Sequence, residues 1–502
     1  MTCQGSTPPR SAEALAAARA AQPAWAAIPL AQRLALLGRV RRTIARDPAP
    51  LLASLSHKRP DADTLAAELL PLADAIRFLE RAAPGLLRPR ALHGGRPLWL
   101  SGVAASIRRE PVGVVLILAP ANFPLMLPGI QTVQALAAGN AVCVKPAPGC
   151  AAPMRALAEM LHRAGLPADV LHILSEDTAT GATASAAGFD LIVLTGSAAT
   201  GQAVLAATAA ALTPAIMELS GCDPMFVLPS ADLALVADCL AFALRLNDGA
   251  TCIAPRRVYV PEHRIPALES ALRERLAGRA HIPPPAAVAD AIAEAQRAGA
   301  RVCGPLVVHP SKAARSALRL FRDDLFAPVV SLIPVGSTEE ALAADRACPY
   351  ALGASVFGAP AEARALVPRL RAGSVVVNDV IVPTADPRLP FGGRGRSGFG
   401  VTRGAEGLLA LTVAKAVSVR RGRFRPHLRR PTPSDAAMLR ALLQLLHGGA
   451  RDRMTALRSL ARRRRPPQRG AGSGEHQHDA DDVGRGEPIV VDRGAEQHGD
   501  HG

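Results

Sequence analysis

The chain has 502 residues, 49% of them hydrophobic, enough to bury more than one core and to divide into two or three domains. Its formal charge is +16, with 58 Lys plus Arg against 42 Asp plus Glu, and only four of those cations are lysine: Lys58, Lys145, Lys312 and Lys415. With 3% aromatic residues and no nucleic-acid motif the basic balance does not describe a specific nucleic-acid binder, and eight cysteines without CxxC or metal-ligand spacing describe free thiols of a reducing cytoplasm, with no metal centre. The first residues, Met1-Thr2-Cys3-Gln4-Gly5, lack the basic flank and apolar run of a signal peptide. The apolar stretch 111–144 is broken by Pro120, Asn122, Pro124, Pro128, Gln131, Gln134 and Asn140, so it reads as strand, loop and helix and no membrane span is expected.

Residues 11–88 carry apolar side chains at i, i+3 and i+4, as in Ala31-Gln32-Arg33-Leu34-Ala35-Leu36-Leu37, which predicts helices covering a sheet. Three short apolar runs follow, Val112-Gly113-Val114-Val115-Leu116-Ile117-Leu118, Ala141-Val142-Cys143-Val144 and Asp190-Leu191-Ile192-Val193-Leu194. Each leads through Pro or Gly into a helical pattern. That alternation predicts a parallel, doubly wound α/β sheet, which binds ligands at the carboxyl ends of its strands. A second strand and helix series, from Met225 through Arg257-Val258-Tyr259-Val260 to Val375-Val376-Val377-Asn378, predicts a separate α/β domain. After Val417 the character changes: an Arg/Pro linker over 420–433, a helical pattern over 434–460 with Met438, Leu439, Leu442, Leu443 and Leu446 on one face, and low complexity from 462, where disorder is expected. From residue 420 onward 17 Arg face 10 Asp plus Glu, so this tail carries +7 of the +16.

Chemistry concentrates at two side chains 34 residues apart: Glu218 in Met217-Glu218-Leu219-Ser220-Gly221 and Cys252 in Asn247-Asp248-Gly249-Ala250-Thr251-Cys252. A thiolate attacks a carbonyl carbon readily, and a carboxylate can then activate the water that hydrolyses the acyl product. Ahead of the pair stand Pro120-Ala121-Asn122-Phe123-Pro124, Lys145-Pro146 and Thr195-Gly196-Ser197, and after it come Phe326-Ala327-Pro328-Val329 and Pro390-Phe391-Gly392-Gly393. Seven motifs in this order, spread over residues 11–420, resemble the aldehyde dehydrogenase superfamily.

The resemblance implies a Rossmann-type cofactor domain over 1–97 and 110–223, an α/β catalytic domain over 224–416, and a small bridging β-sheet from 98–109 and 417–424 that supports dimers or higher oligomers. Residues 425–502 are then a basic, partly disordered C-terminal extension. By the same resemblance Cys252 is the nucleophile, Asn122 stabilises the oxyanion together with the backbone N–H of Cys252, and Glu218 is the base for thioester hydrolysis. Phe123, Leu127, Ile130 and Phe391 would line an apolar substrate tunnel. NAD or NADP would rest on Thr195, Gly196, Ser197 and Gly201, where a strand opens into a helix whose N-terminal amides suit a pyrophosphate. Lys145 would reach the adenine ribose, Asp324 the nicotinamide ribose, and Phe326 would pack beside it.

The sequence departs from the family pattern at Ala121, where Trp is common, at Pro148, where a Glu often holds the ribose 2′-hydroxyl, at Ala250, which stands for Gln, and at Asp324, which stands for Glu. NAD and NADP therefore both stay open. The expected reaction is oxidation of a small-molecule aldehyde to the free acid, since Glu218 argues against transfer of the acyl group to coenzyme A. Two other readings stand beside it: a weakly active homologue that works as a binding protein, prompted by the four departures, and a peripheral membrane enzyme for lipid or isoprenoid aldehydes whose basic tail rests on anionic lipid. His476, His478, His498 and His501 are read as unligated.

Overall fold

Strands of the first series pair as expected for a doubly wound sheet. In this computed structural model, which describes residues 11–55, 59–278, 283–311, 318–423 and 425–463, a six-stranded sheet runs in the order Gly398–Phe399, Ala215–Leu219, Leu191–Gly196, Val114–Leu118, Ala141–Lys145 and Leu171–Ile173. All neighbours are parallel except the two-residue edge, which is antiparallel to Ala215–Leu219. From Val114–Leu118 the chain builds outward through Ala141–Lys145 to Leu171–Ile173, then returns to the other side with Leu191–Gly196. This reversal opens a crevice at the carboxyl ends of Val114–Leu118 and Leu191–Gly196, the usual place for a ligand in such sheets.

The central strands are buried on both faces, which is why they read as continuous apolar runs without alternation: Val115, Leu116, Ile117, Val142, Cys143 and Val144 have no solvent exposure. Leu30–Arg46 contributes Leu34, Leu37, Val40 and Ile44 to the same core, one stripe at i, i+3 spacing. Met126–Ala138 differs, since every residue from Leu127 to Ala138 is buried. It ends at Gly139, whose φ of 96° lets its N–H reach back to Ala135 and Leu136.

The second series forms a seven-stranded sheet in the order Arg301–Cys303, Leu306–Val308, Val330–Val335, Pro255–Pro261, Asp223–Val227, Gly353–Phe357 and Ser374–Val377. It is parallel apart from the first hairpin. A third sheet, wholly antiparallel, joins Arg90–Leu92, Val103–Pro111 and Thr412–Arg420, and its outer strand leaves Val413 and Val419 half exposed.

The described residues up to Arg421 form one compact unit and those from Gly422 another. In the second, Pro433–His447 starts at a capping box between Thr432 and Asp435 and packs against Ala450–Arg463. Met438, Leu439, Leu443, Met454 and Leu457 stay largely exposed there. The expected low-complexity stretch and the four tail histidines lie outside the described residues, apart from the end of the second helix. No described helix is long and apolar enough to cross a membrane.

Candidate active site

Glu218 is held from both sides of its strand, level with Thr195 in one neighbour and Gly398 in the other. A side chain at Gly398 would strike the carbonyl oxygen of Met217, so only glycine lets that edge approach. The carboxyl group is 2% exposed; Oε2 accepts a 2.8 Å hydrogen bond from the Thr402 hydroxyl, while Oε1 has no partner. Burial pushes it above the usual carboxylate range, against the pull of Arg403 and Thr402. A carboxyl raised in this way is a stronger base than an exposed one.

Cys252 follows a strained turn. Asn247 and Asp248 take φ of 52° and 50°, and Gly249 takes 73° with a hydrogen where a Cβ would sit 2.7 Å from the Cα of Pro328. The buried guanidinium of Arg256 donates to the carbonyls of Gly249 and Ala327, the latter at 2.6 Å. One cation thus ties the Cys252 loop to the Phe326-Ala327-Pro328 segment. Burial pushes the Cys252 thiol up, Glu218 and Asp223 add to that, and Arg403 opposes it.

Asn122 reaches the same loop. Its Nδ2 donates to the Ala250 carbonyl at 3.1 Å, its Oδ1 accepts from the Phe123 N–H at 3.1 Å, and its own carbonyl accepts from Asn247 Nδ2 and Arg59 Nη2. The amide has a second hydrogen to offer. Phe123, Met126, Leu127, Leu246 and Phe391 line an apolar cavity of about 230 Å³ whose wall also carries Cys252 and Glu218, with exposed Asp63 at the rim. Ile130, expected in this lining, is instead packed into the core of the six-stranded sheet at 3% exposure. The cause is the all-round burial of its helix, which leaves no apolar stripe to tell the cavity face from the core face.

At the sheet crevice, Thr195 accepts a hydrogen bond from Gln131 Nε2 at 3.1 Å, and Ser197 caps Ala198–Thr208 by accepting from the Thr200 N–H at 3.1 Å. Gly196 ends the strand, and Gly201 packs its helix so tightly on Leu219 that a Cβ would come within 2.8 Å of that side chain. The capped helix leaves its N-terminal end facing the carboxyl edge of the sheet, as a pyrophosphate requires. Lys145 closes Ala141–Lys145; burial lowers its pKa, opposed by Asp177 and Glu176, and Glu176 caps Ala151–Arg163 through the N–H groups of Cys150 and Ala151. Asp324 accepts from the Ser220 hydroxyl, two residues beyond Glu218, and its buried Oδ1 has no partner, an acceptor suited to a ribose hydroxyl. Burial raises its carboxyl, against Ser220 and Arg256. Half-buried Phe326 lies two residues on.

Thr402, Arg403, Asn247 and the Arg59 and Glu68 pair join this site without having been singled out in the sequence. The closely spaced Gly398, Gly400 and Gly404 are the one local sign that the 402–403 backbone turns sharply.

Residues 1–284 and 288–417 match the aldehyde dehydrogenase family. The chain is similar to a 4,4′-diapolycopene aldehyde oxidase of Methylomonas sp, 29% identical over 408 residues that cover 77% of each chain. It is also similar to a Mycobacterium bovis protein provisionally named a succinate-semialdehyde dehydrogenase for NADP+, 32% identical over 441 residues covering 81% of this chain and 84% of the relative. Among solved structures, a Mycobacterium tuberculosis aldehyde dehydrogenase complexed with NAD+ superposes with a TM-score of 0.74 at 25% identity, covering 82% of this chain and 90% of that one.

Proposed function

The chain belongs to the aldehyde dehydrogenase family and is an NAD(P)-dependent oxidoreductase, and from that premise we propose that Cys252, Asn122 and Glu218 carry the oxidation of a neutral, apolar aldehyde to its acid. The observation that carries this reading is the shared cavity, onto which the thiol and the carboxyl both open while Asn122 is tied to the thiol's loop.

After losing its proton, the Cys252 sulfur bonds to the carbonyl carbon and the π pair moves to oxygen. The second Asn122 amide hydrogen and the Cys252 N–H stabilise that oxyanion. When bound, NAD(P)+ supplies a hydride acceptor. Thr195, Ser197, Gly201 and Asp324 hold and orient it, with Lys145 at its outer end. As the oxygen pair re-forms C=O, the aldehyde C–H bond breaks with loss of hydride, and the thioester left on Cys252 is then hydrolysed: Glu218 takes a proton from water, the oxygen bonds to the acyl carbon, the C–S bond breaks, and the acid departs with the thiolate restored.

Two features favour a neutral substrate. The cavity is lined by Phe, Leu and Met side chains, and the acidic Asp63 stands at its rim. A carboxylate on the aldehyde would lose hydration against those side chains, and Asp63 would repel it. The expected outcome is a kcat/KM for octanal exceeding that for succinate semialdehyde by about tenfold or more, with NAD+ or with NADP+. Equal or better use of succinate semialdehyde would overturn the substrate reading and leave the reaction class standing.

A homodimer is part of the same reading, supported by the outer strand Thr412–Arg420 with its exposed Val413 and Val419. Contact with an anionic membrane is supported by the exposed Met438, Leu439 and Leu443 beside the arginines of the tail.

A further inference from the structure

Arg403 has a backbone that side chains other than glycine avoid, with φ of 61° and ψ of 173° just ahead of Gly404–Ala410. Such a conformation is strained and persists only where its surroundings impose it. Here Thr402 and Phe391 bond each other's backbones in both directions at 2.8 Å, and Gly404, at φ 62°, lies against the backbone of residues 388–390. The turn points the Thr402 hydroxyl at Glu218 and sends the Arg403 guanidinium into the wall of the apolar cavity, 6% exposed.

That guanidinium stacks on the Phe391 ring, 4.3 Å from its centroid, and donates from Nη1 to the Thr384 carbonyl at 2.7 Å. Its buried Nε has no partner. One carbonyl and a ring face do not offset the desolvation of a cation when no opposite charge is near. The opposite charges within its field are those of Glu218 and Cys252. We propose that Arg403 is the shared counter-cation of Cys252 and Glu218, and that both thiol attack and water activation at neutral pH depend on it.

The acidic groups around the sulfur act in the opposite sense. The carboxyl groups of Glu218, on Ala215–Leu219, and Asp223, which opens Asp223–Val227, disfavour a thiolate. Arg256, on Pro255–Pro261, is a second cation in the field of the sulfur, held outside the cavity lining by the carbonyls of Gly249 and Ala327. Asp63 stands at the cavity rim. Arg403 opposes the rise of both groups and makes no hydrogen bond to either, so it acts through its charge as a positioning residue.

The inference rests on the roles proposed for Cys252 and Glu218, and those fail separately if Cys252→Ser retains turnover. Its own test is the pH profile of iodoacetamide alkylation of the full chain, in which Cys252 loses its proton, the S–C bond forms and iodide leaves, followed by peptide mass at Cys252. Arg403→Met should move the midpoint up by about one pH unit or more, whereas Glu218→Gln, which removes an anion, should move it down. Arg403→Lys keeps the charge and should stay within about half a unit of wild type. A structural role alone predicts a midpoint that ignores the charge of residue 403. Superimposed profiles for wild type and Arg403→Met overturn the proposal. Should Arg403→Met fail to fold, an Arg403→Lys midpoint displaced by a full unit overturns it as well.

Discussion

Arg59 donates to Glu68 across 2.6 Å with both side chains buried, and the pair reaches past itself to fix the segment that carries Asn122. The same Nη2 donates to the Asn122 carbonyl at 3.1 Å, and Glu68 Oε2 accepts from the N–H groups of Leu125 and Met126 at 3.3 and 2.6 Å. This carboxylate serves Met126–Ala138 in place of a side-chain cap of its own. Burial pushes the Glu68 carboxyl up to about 7, with Arg59 and the two amides pulling it back.

Glu68→Gln would leave Arg59 buried without its counter-charge and should cost about 3 kcal/mol in denaturant unfolding. It should also lower kcat, because Asn122 loses part of its support. Unchanged stability and rate would remove the pair from the positioning of the oxyanion site.

Gly249→Ala tests the turn before the nucleophile. The new Cβ would meet backbone on the facing segment, 2.7 Å from Pro328 Cα and 2.8 Å from the Ala327 oxygen, at a φ of 73° that alanine disfavours. Backbone cannot rotate aside as a side chain can. The expected result is a loss of about 2 kcal/mol or more in stability and a fall in kcat, read by thermal unfolding and steady-state assay. A variant matching wild type in both would show that the two segments separate freely.

The strands at the sheet centre were legible because double-sided burial writes itself as short apolar runs, and Cys252, Glu218 and Asn122 were legible because their motifs keep order and spacing. The structure places Cys252 and Glu218 on the wall of one cavity and ties Asn122 to the Cys252 loop through the Ala250 carbonyl. Ile130 was misplaced for the physical reason that a helix buried all round has no periodicity to orient it. Gly398–Phe399 is too short to show a strand pattern, yet its pairing fixes Glu218 from one side. Arg403 resembled any other member of an arginine-rich chain until its φ and its burial set it apart. Glu68 carries no local sign of its role, because its partner Arg59 comes from outside its helix.

Ending the protein at Arg423 separates the tail from the enzyme. The compact unit reaches Arg421, so the shortened chain should unfold cooperatively and keep aldehyde oxidation. Full-length protein should sediment with phosphatidylserine-containing vesicles in low salt and release in high salt, through Arg440, Arg451 and Arg453 beside exposed Leu439, Leu443 and Leu457. Loss of solubility or activity on shortening would place the boundary elsewhere, and vesicle binding equal in both forms would take the tail out of membrane contact.

Glu218→Gln separates the two halves of the reaction. The substitution keeps a hydrogen-bond acceptor for Thr402 and removes both the base and the carboxyl that most opposes a thiolate, so Cys252 should ionise more readily than before. Attack and hydride departure need no base at position 218 once the thiolate exists, whereas hydrolysis of the thioester does. Steady turnover should therefore fall by about 100-fold or more, while a single burst of reduced cofactor, near one per active site, survives and an acyl adduct on Cys252 accumulates in intact-mass spectra. Cys252→Ser should show neither burst nor adduct. If Glu218→Gln loses the burst along with turnover, Glu218 acts before hydride departure, in thiol activation or in structure; if the steady rate is untouched, another group activates the water.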